Sequence, residues 1–254
     1  GTAGQTFPSL TGYIANPLIN LVIMLLIVIG GIGFLTWDDF CTNKWNLKRY
    51  RLQSKIILVT TAVLILLPAI FFFLSDFAGF SMGKRILASL FQSVTLRTAG
   101  FNTADLGAMN DSSKAIMTLM MLIGGSPGST AGGMKTTTIA VLILNAFATF
   151  GREPETEVFG RRFDNTVVKN AATIAILYFF LFFTGGIAIS QIEHVALSDC
   201  LFETASAVGT AGLTLGITTE LGLVSHLILV VLMYLGRVGG FPKGFGKLYS
   251  RCDN

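Results

Sequence analysis

The chain has 254 residues, of which 52% are hydrophobic and only 13% are charged, and its formal net charge at pH 7 is +4. Because a soluble domain carries about 25% charged residues, this composition predicts an integral membrane protein rather than a soluble enzyme. So small a positive charge gives no indication of nucleic-acid binding, and in a membrane protein the placement of charges is more informative than their sum.

Five apolar segments are candidates to span the bilayer, which takes about 20 helical residues. In chain order they cover residues 17–37, 56–74, 115–150, 167–189 and 221–235, and a glycine-rich stretch interrupts the third. Two shorter apolar pieces, 86–96 and 195–208, are too short to span. Their length is typical of re-entrant pore helices.

Basic residues concentrate on one side of these predicted spans. Four basic residues lie on the other side, at Lys84, Arg85, Arg97 and Lys114. The richer side has twelve: Lys44, Lys48, Arg49, Arg51, Lys55, Arg152, Arg161, Arg162, Lys169, Lys243, Lys247 and Arg251. Since cytosolic loops are enriched in lysine and arginine, we predict a multi-pass plasma-membrane protein with its N-terminus outside and its C-terminus in the cytosol.

Two segments of the sequence repeat one another. The stretch 90–103, LFQSVTLRTAGFNT, matches 201–214, LFETASAVGTAGLT, and in both a short helix precedes a Thr-Ala-Gly triplet and a span follows. A third triplet, Thr2-Ala3-Gly4, is followed by a span but has no preceding short helix, and a fourth lies at 130–132. The repeated unit is therefore span, short helix, loop and span, present about two and a half times.

A loop of this kind suits an ion pathway. Non-helical backbone is tolerated at membrane depth only where protein buries it or where it lines an aqueous path. Glycine permits backbone conformations that turn successive carbonyls inward, and rings of carbonyls can replace the water shell of a monovalent cation. The pattern favours a filter-like role for the loops near Gly100 and Gly212, whereas a chance match is an equal alternative for Gly4.

The glycine-rich stretch GGSPGSTAGGMKTTT, 124–138, has part of a phosphate-binding pattern. Gly128 to Gly133 fits its first half, but Met134 stands before Lys135, and the preceding residues predict a membrane helix instead of a strand. We therefore predict no nucleotide bound by this chain and no enzymatic activity. Glycine and proline break the helix here, and small polar residues at that depth can line a cavity.

These segments resemble the Trk/Ktr/HKT superfamily of potassium transporters, nearest its compact bacterial Ktr-type membrane subunit. The similarity lies in RTAGFNT with the glycine-rich stretch, in FETASAVGTAGLTLGIT (202–218), in LMYLGRVG (232–239) and in 16–39. The resemblance implies an all-α membrane fold of four pseudo-symmetric repeats around one ion pore. About 2.5 of those four repeats are present, so we expect a partial chain, and the tail after Gly239 departs from the family pattern.

The resemblance assigns roles residue by residue. The ion filter is Thr98, Ala99, Gly100, Phe101, Thr210, Ala211, Gly212 and Leu213, with Thr2, Ala3 and Gly4 as a further candidate. The gate is an intramembrane loop under the filter, formed by Gly124, Gly125, Ser126, Pro127, Gly128, Ser129, Thr130, Ala131, Gly132, Gly133 and Lys135. Arg237 is the electrostatic barrier of the pore, and the alternative for it is an arginine that snorkels to the cytosolic surface. The alternative for the gate is a glycine-rich stretch that is only a passive kink in a helix.

The resemblance also divides the chain. It implies the end of the second repeat at 1–39, a cytosolic loop at 40–55, the third repeat at 56–150 with its loop at 124–138, a cytosolic loop at 151–166, the fourth repeat at 167–240 and a cytosolic tail at 241–254. The charge of Arg97, beside a filter, is expected to point away from the pore, and we consider Glu203 as its partner.

The implied function is potassium uptake as the pore-forming subunit, with K⁺ held by filter carbonyls and Na⁺ as a candidate coupling ion. The implied partners are a cytosolic nucleotide-binding regulatory subunit, a second copy in a homodimer, and the lipid bilayer. One alternative stays open, a secondary transporter of another solute that uses the discontinuous helix as its substrate site.

Overall fold

A computed structural model describes residues 9–44, 46–151, 157–158, 161–162 and 165–238. Nearly all regular structure in that part is helical, so the predicted all-α fold is confirmed; a single antiparallel strand pair is formed by β1 (Glu157–Val158) and β2 (Arg161–Arg162). The helices are α1 (Pro17–Ile32), α2 (Phe34–Asn43), α3 (Leu52–Leu74), α4 (Met82–Thr95), α5 (Asp111–Leu122), α6 (Thr136–Phe150), α7 (Asn165–Glu193), α8 (Leu197–Val208) and α9 (Leu223–Val238).

Two of these helices, α3 and α7, are long and apolar enough to cross a bilayer, and α1 with α2 makes a third if the bent pair is one span. Helices α6 and α9 are apolar but shorter, with 15 and 16 residues. Large apolar side chains cover the outer surface, and many are more than half exposed, including Leu18, Leu26, Leu67, Phe180 and Leu223. Such a surface is suited to lipid contact.

The first predicted span, 17–37, is not one continuous helix. Helix α1 begins at Pro17, where the Asn16 side chain accepts hydrogen bonds from the amides of Leu18 and Ile19. It ends at Ile32, and α2 leaves at an angle of 96°. The break is at Gly33, whose φ is +93°, and a β-carbon there would lie 2.5 Å from the carbonyl oxygen of Pro127. Only glycine fits this conformation and this approach of another backbone.

Helix α3 contains Pro68, which removes one main-chain donor from the helix. The carbonyl that loses its partner is that of Leu64. Ser93 on α4 lies beside this carbonyl: its Oγ donates to the Ile65 carbonyl oxygen at 2.5 Å and lies 3.5 Å from that of Leu64. Serine side chains of neighbouring helices are among the groups that membrane proteins place beside a proline in a helix. The same contact ties the short helix α4 to the spanning helix α3.

Both short helices lie inside the bundle. Helix α8 packs against α5, α7 and α9, and every residue from Phe202 to Val208 is buried. Helix α4 packs against α1 and α3, and its C-terminal residues Phe91–Thr95 are buried. The largest core cluster, which includes Phe72, Met117, Met121, Phe182 and Phe202, fills the space around α8. Enclosure by other helices is what a membrane fold requires for helices too short to span.

Several helices cross the boundaries expected from the sequence. Helix α2 continues to Asn43 within the expected loop 40–55, α3 begins at Leu52 and α7 begins at Asn165. Periodicity alone places helix ends poorly, because caps and tertiary contacts decide them. Much of the expected loop 151–166 and the whole of the expected tail 241–254 lie outside the described residues.

A buried carboxylate connects α2 to the start of α3. Asp39 is 3% exposed, and its Oδ2 accepts hydrogen bonds from the Arg51 amide at 3.0 Å and the Ser54 hydroxyl at 2.5 Å. The Arg51 guanidinium also lies 3.7 Å from Asp39 Oδ1 and 3.3 Å from Oδ2 of Asp38, whose side chain is more than half exposed. The two neighbouring aspartates therefore contact the same arginine in very different environments.

We expect Asp39→Ala to lower the free energy of unfolding by about 2 kcal/mol, because it leaves buried donors without an acceptor. Asp38→Ala is the matched control, and loss of its exposed ion pair should change stability by less than about 1 kcal/mol. Thermal unfolding of the protein in detergent measures both. Equal shifts for the two variants would show that burial of Asp39 contributes nothing beyond a surface ion pair.

Candidate functional site

The two Thr-Ala-Gly loops share an unusual backbone conformation. Thr98 and Gly100 have φ of 58° and 77°, while Thr210 and Gly212 have φ of 52° and 80°. Positive φ is uncommon for a non-glycine residue and rarer still for a β-branched one such as threonine. Its recurrence at the same place in both triplets means that the two loops follow the same irregular path directly after α4 and α8.

The two loops meet through their main chains. A β-carbon on Gly100 would lie 2.8 Å from the Ala211 carbonyl oxygen and 3.3 Å from that of Gly212. A β-carbon on Gly212 would lie 3.5 Å from the Cα of Gly100. Carbonyl groups of one loop therefore face the glycine of the other with no side chain between them. Both glycines line a cavity of about 770 Å³.

The remaining predicted filter residues differ in their exposure. Ala211 and Leu213 are buried, whereas Phe101, which corresponds to Leu213, is 45% exposed. Thr98, Ala99 and Thr210 are partly exposed. The third candidate, Thr2-Ala3-Gly4, lies outside the described residues. Among the described residues, then, the site is built from two loops that contact each other at Gly100 and Gly212.

The glycine-rich stretch is a closed loop between α5 and α6. Its ends are joined by two main-chain hydrogen bonds, from the Gly124 amide to the Met134 carbonyl at 2.8 Å and from the Met134 amide to the Leu122 carbonyl at 3.2 Å. The expected loop 124–138 is too long at its C-terminal end. Thr136, Thr137 and Thr138 already form the first turn of α6, and all three are buried. The residues from Ile123 to Lys135 are called the intramembrane loop below.

One side of the intramembrane loop lies against the bend between α1 and α2. The Ser126 amide donates to the Gly31 carbonyl at 2.9 Å, and the Thr130 amide donates to that of Gly30 at 3.4 Å. In the other direction, the Phe34 amide donates to the Gly128 carbonyl at 3.1 Å. The first peptide group of α2 is thus bound to the loop.

The other side of the intramembrane loop lies against the second Thr-Ala-Gly loop and α9. A β-carbon on Gly132 would lie 2.2 Å from Thr210 Oγ1, so the loop packs directly against the first residue of that triplet. The Gly236 carbonyl accepts hydrogen bonds from the Gly133 amide at 3.2 Å and from the Tyr178 hydroxyl at 3.0 Å. The intramembrane loop, the second Thr-Ala-Gly loop and the end of α9 therefore share one set of contacts.

Two cationic side chains bind carbonyls of the intramembrane loop. Arg237, on the last turn of α9, donates from Nη1 to the Thr130 carbonyl. Lys135 donates from Nζ to the Ala131 carbonyl at 2.7 Å. Hydrogen bonds with an ionised donor are stronger than neutral ones. Arg237 therefore contacts the loop, which a simple snorkelling arginine does not need to do.

The considered pairing of Arg97 with Glu203 is wrong. Glu203 instead accepts hydrogen bonds from residues of its own repeat, Thr214, Leu215 and Thr218. Arg97 is 6% exposed, and its Nη2 would be 3.9 Å from a β-carbon on Gly31 of α1. Its Nε and Nη2 have no hydrogen-bond partner among the described residues.

Sequence reasoning missed two parts of the site. Gly30, Gly31 and Gly33 contact the intramembrane loop, and their clustering in GGIG was a signal that this span is broken. Tyr178 is buried in α7 and bonds the Gly236 carbonyl, and a tyrosine inside an otherwise apolar helix usually has such a partner. Both contacts join segments far apart in the chain.

Comparison with known proteins gives a consistent result. The family model of TrkH, described as a cation transport protein, matches residues 6–244. The Ktr system potassium uptake protein B of Bacillus subtilis (strain 168) is 34% identical over 251 residues, which cover 96% of this chain and 56% of that protein. The potassium/sodium uptake protein NtpJ of Enterococcus hirae is 35% identical over 242 residues, or 92% and 53% of the two chains.

The fold also matches a solved structure. The crystal structure of the potassium transporter TrkH from Vibrio parahaemolyticus superposes with a TM-score of 0.75 at 21% identity, covering 93% of this chain and 53% of that one. At this identity the match concerns the fold alone. The chain spans about half the length of the curated relatives that it matches.

Proposed function

The chain belongs to the TrkH family of cation transport proteins, and from that membership we propose that it forms part of a potassium-conducting pore through the plasma membrane. The single observation that carries the proposal is the meeting of two Thr-Ala-Gly loops with the same positive-φ backbone at Gly100 and Gly212. Such loops present main-chain carbonyls in place of the water around a monovalent cation.

In this proposal Thr98 to Phe101 and Thr210 to Leu213 are two quadrants of the filter. Their oxygens come from the backbone, so the side chains matter for the shape of the loop and not as ligands. The cavity of about 770 Å³ beside Gly100 and Gly212 is the space from which a cation would approach. The names of the relatives favour K⁺ as the transported ion, and that of NtpJ supports Na⁺ as a second or coupling ion.

We further propose that the intramembrane loop is the gate. It packs against Thr210 at the filter and is held by hydrogen bonds to Gly30 and Gly31 on one side and to Gly236 on the other. Each of these bonds is a neutral main-chain contact of modest net strength. Such a loop can be held closed in one state and released when its supporting helices move.

Arg237 has two roles in this mechanism. Its bond to the Thr130 carbonyl supports the closed loop. Its positive charge, at the end of a pore-lining helix, also opposes the passage of a cation. Ionisable residues in membrane-spanning helices usually face a cavity or a partner, and a pore position provides both.

Regulation by a partner is a further part of the proposal. We propose that a cytosolic nucleotide-binding subunit moves the loop and that the membrane subunit forms a homodimer, with the N-terminal side of this chain outside and its C-terminal side in the cytosol. The basic residues between α2 and α3 support that orientation, because lysine and arginine are enriched in cytosolic loops. The name of the Bacillus subtilis relative, a component of a Ktr system, supports a partner protein.

The proposal is tested by transport. The complete product of the gene is reconstituted in liposomes, and uptake of K⁺ and of its analogue Rb⁺ is measured against empty liposomes, with Na⁺ and choline as competing cations. We expect saturable uptake of K⁺ and Rb⁺ that choline does not inhibit. Electroneutral counterflow of a non-ionic solute without K⁺ movement would favour the alternative, a secondary transporter that uses the discontinuous helix.

A further inference from the structure

A buried carboxylate binds the residues that directly follow the fourth-repeat filter loop. Glu203, on α8, is 4% exposed. Its Oε1 accepts hydrogen bonds from the Thr214 hydroxyl at 2.6 Å and the Leu215 amide at 2.9 Å, and its Oε2 accepts one from the Thr218 hydroxyl at 2.7 Å. These residues begin immediately after Leu213, the last residue of the predicted filter. The pore helix thus binds the chain that leaves its own filter.

The corresponding residue in the other repeat behaves differently. Alignment of Phe91 with Phe202 puts Gln92 in the place of Glu203. Gln92 is fully buried, its Nε2 donates to the Met117 sulfur at 3.0 Å, and its Oε1 has no partner among the described residues. No hydrogen bond joins Gln92 to the described part of its own filter loop.

The third-repeat filter loop, around Gly100, is held by other hydrogen bonds. The Thr95 hydroxyl donates to the Phe101 carbonyl. The Asn102 amide donates to Ser9 Oγ at 3.1 Å, and the Leu10 amide donates to the Asn102 carbonyl at 3.0 Å. Residues 9 and 10 precede α1 and belong to the preceding repeat. One filter-like loop is therefore held partly by a neighbouring repeat, whereas the other is held by a carboxylate of its own pore helix.

Burial of an ionised carboxylate is unfavourable unless several donors surround it. At Glu203 three donors do so, and hydrogen bonds to an ionised acceptor are short and strong. One of the donors is the main-chain amide of Leu215, three residues after Gly212. Fixing that amide restricts the peptide groups between it and the glycine, which include the carbonyls of two predicted filter residues, Gly212 and Leu213.

We propose that Glu203 is a positioning residue that fixes the carbonyl geometry of the fourth-repeat filter loop and thereby sets the discrimination between K⁺ and Na⁺. This inference rests on the proposed function of the loop as a filter. In the cavity-size account of selectivity, discrimination depends on how closely the carbonyls keep their positions around the ion, because a loosened ring also accepts the smaller cation. Glu203 also lines the cavity beside Gly100 and Gly212, and the role proposed for it is to hold the loop, not to bind the ion.

The test compares three variants of the complete transporter in liposomes: Glu203→Ala, Glu203→Gln and Glu193→Ala. Glu193 is the matched control, since its Oε1 also accepts hydrogen bonds from a main-chain amide, Gly222 at 2.8 Å, and from a hydroxyl, Ser225 at 2.5 Å. These bonds support the start of α9 and not a filter loop. Initial rates of K⁺ and Na⁺ uptake are measured over a range of concentrations, and the ratio of the two KM values is the readout. A smaller amount of folded protein lowers the maximal rates of both ions and leaves that ratio unchanged.

Glu203→Ala removes all three hydrogen bonds, and we expect it to reduce the ratio of KM for Na⁺ to KM for K⁺ by about tenfold, which corresponds to about 1.4 kcal/mol of lost discrimination. Glu203→Gln should retain most of the discrimination, because its Oε1 still accepts from Thr214 and Leu215 and its Nε2 can donate to Thr218. Glu193→Ala should retain all of it. Thr218→Val removes one of the three hydrogen bonds and keeps the carboxylate, so it should reduce the discrimination less than Glu203→Ala does. It replaces Glu203→Ala in the test if the alanine variant fails to fold.

An unchanged ratio in Glu203→Ala, or in Thr218→Val where the alanine variant does not fold, overturns the inference. An equal loss in Glu193→Ala overturns it as well, because the effect would not be particular to the filter. A wild-type protein that takes up no K⁺ is a different result and overturns the proposed function itself.

Discussion

Replacement of Gly100 or Gly212 by serine is expected to reduce the preference for K⁺ over Na⁺ by tenfold or more. Both positions have positive φ, which for a residue with a β-carbon is unfavourable by roughly 1–2 kcal/mol. At Gly100 the new β-carbon would also lie 2.8 Å from the Ala211 carbonyl oxygen, so that carbonyl must move. Since about 1.4 kcal/mol corresponds to a factor of ten, displacement of a filter carbonyl should be visible in the ratio of permeabilities.

The measurement is the reversal potential, or the paired uptake of the two ions, in the complete transporter. Gly83→Ser is the matched control, because a β-carbon at Gly83 meets nothing within 4 Å and its backbone is helical. Gly212→Ser should have the smaller effect of the two, since its β-carbon has 3.5 Å of space to Gly100. Unchanged permeability ratios in both variants would exclude these loops from the selectivity filter.

Removal of the Arg237 side chain is the second large effect we expect. Arg237→Ala should raise the K⁺ flux by roughly tenfold, because it removes a hydrogen bond from an ionised donor, which contributes about 1.5–3 kcal/mol, to the loop that is proposed to close the pore. It also removes a positive charge from the proposed ion pathway. Arg237→Lys keeps the charge with a different donor geometry and should give a smaller increase.

Deletion of Gly128 to Gly132 tests the same hydrogen bond, between Arg237 and Thr130, by removing its acceptor. The deletion removes Thr130, whose carbonyl binds Arg237, and is expected to raise the flux as Arg237→Ala does. In the deletion background Arg237→Ala should add only its charge effect, because the hydrogen bond is already absent. Flux unaffected by either change would mean that the loop is a passive kink and that Arg237 simply reaches the membrane surface.

The parts of this fold that follow from local sequence were predicted well. The short helices α4 and α8 end directly before their Thr-Ala-Gly loops, and the run of glycines interrupts the helix between Leu122 and Thr136. In each case a few neighbouring residues carry the signal: an apolar stretch too short to span, followed by glycine. The resemblance to a known family added the roles that those patterns alone leave open.

The errors concern contacts between distant segments. The bend at Gly33 depends on Pro127 and Gly128, almost a hundred residues later, so the apolar run 17–37 looked like an unbroken helix. Glu203 was assigned to Arg97 by charge alone, but it lies beside the hydroxyls of Thr214 and Thr218. Which donor reaches a buried carboxylate is decided by packing, which periodicity and charge counts do not describe.

The bend between α1 and α2 has a mechanical consequence. The Phe34 amide of α2 donates to the Gly128 carbonyl, so a displacement of α2 reaches the loop through main-chain atoms. No side chain of α2 takes part in that connection. Substitutions on the outer face of α2 can therefore leave this main-chain link between α2 and the loop in place.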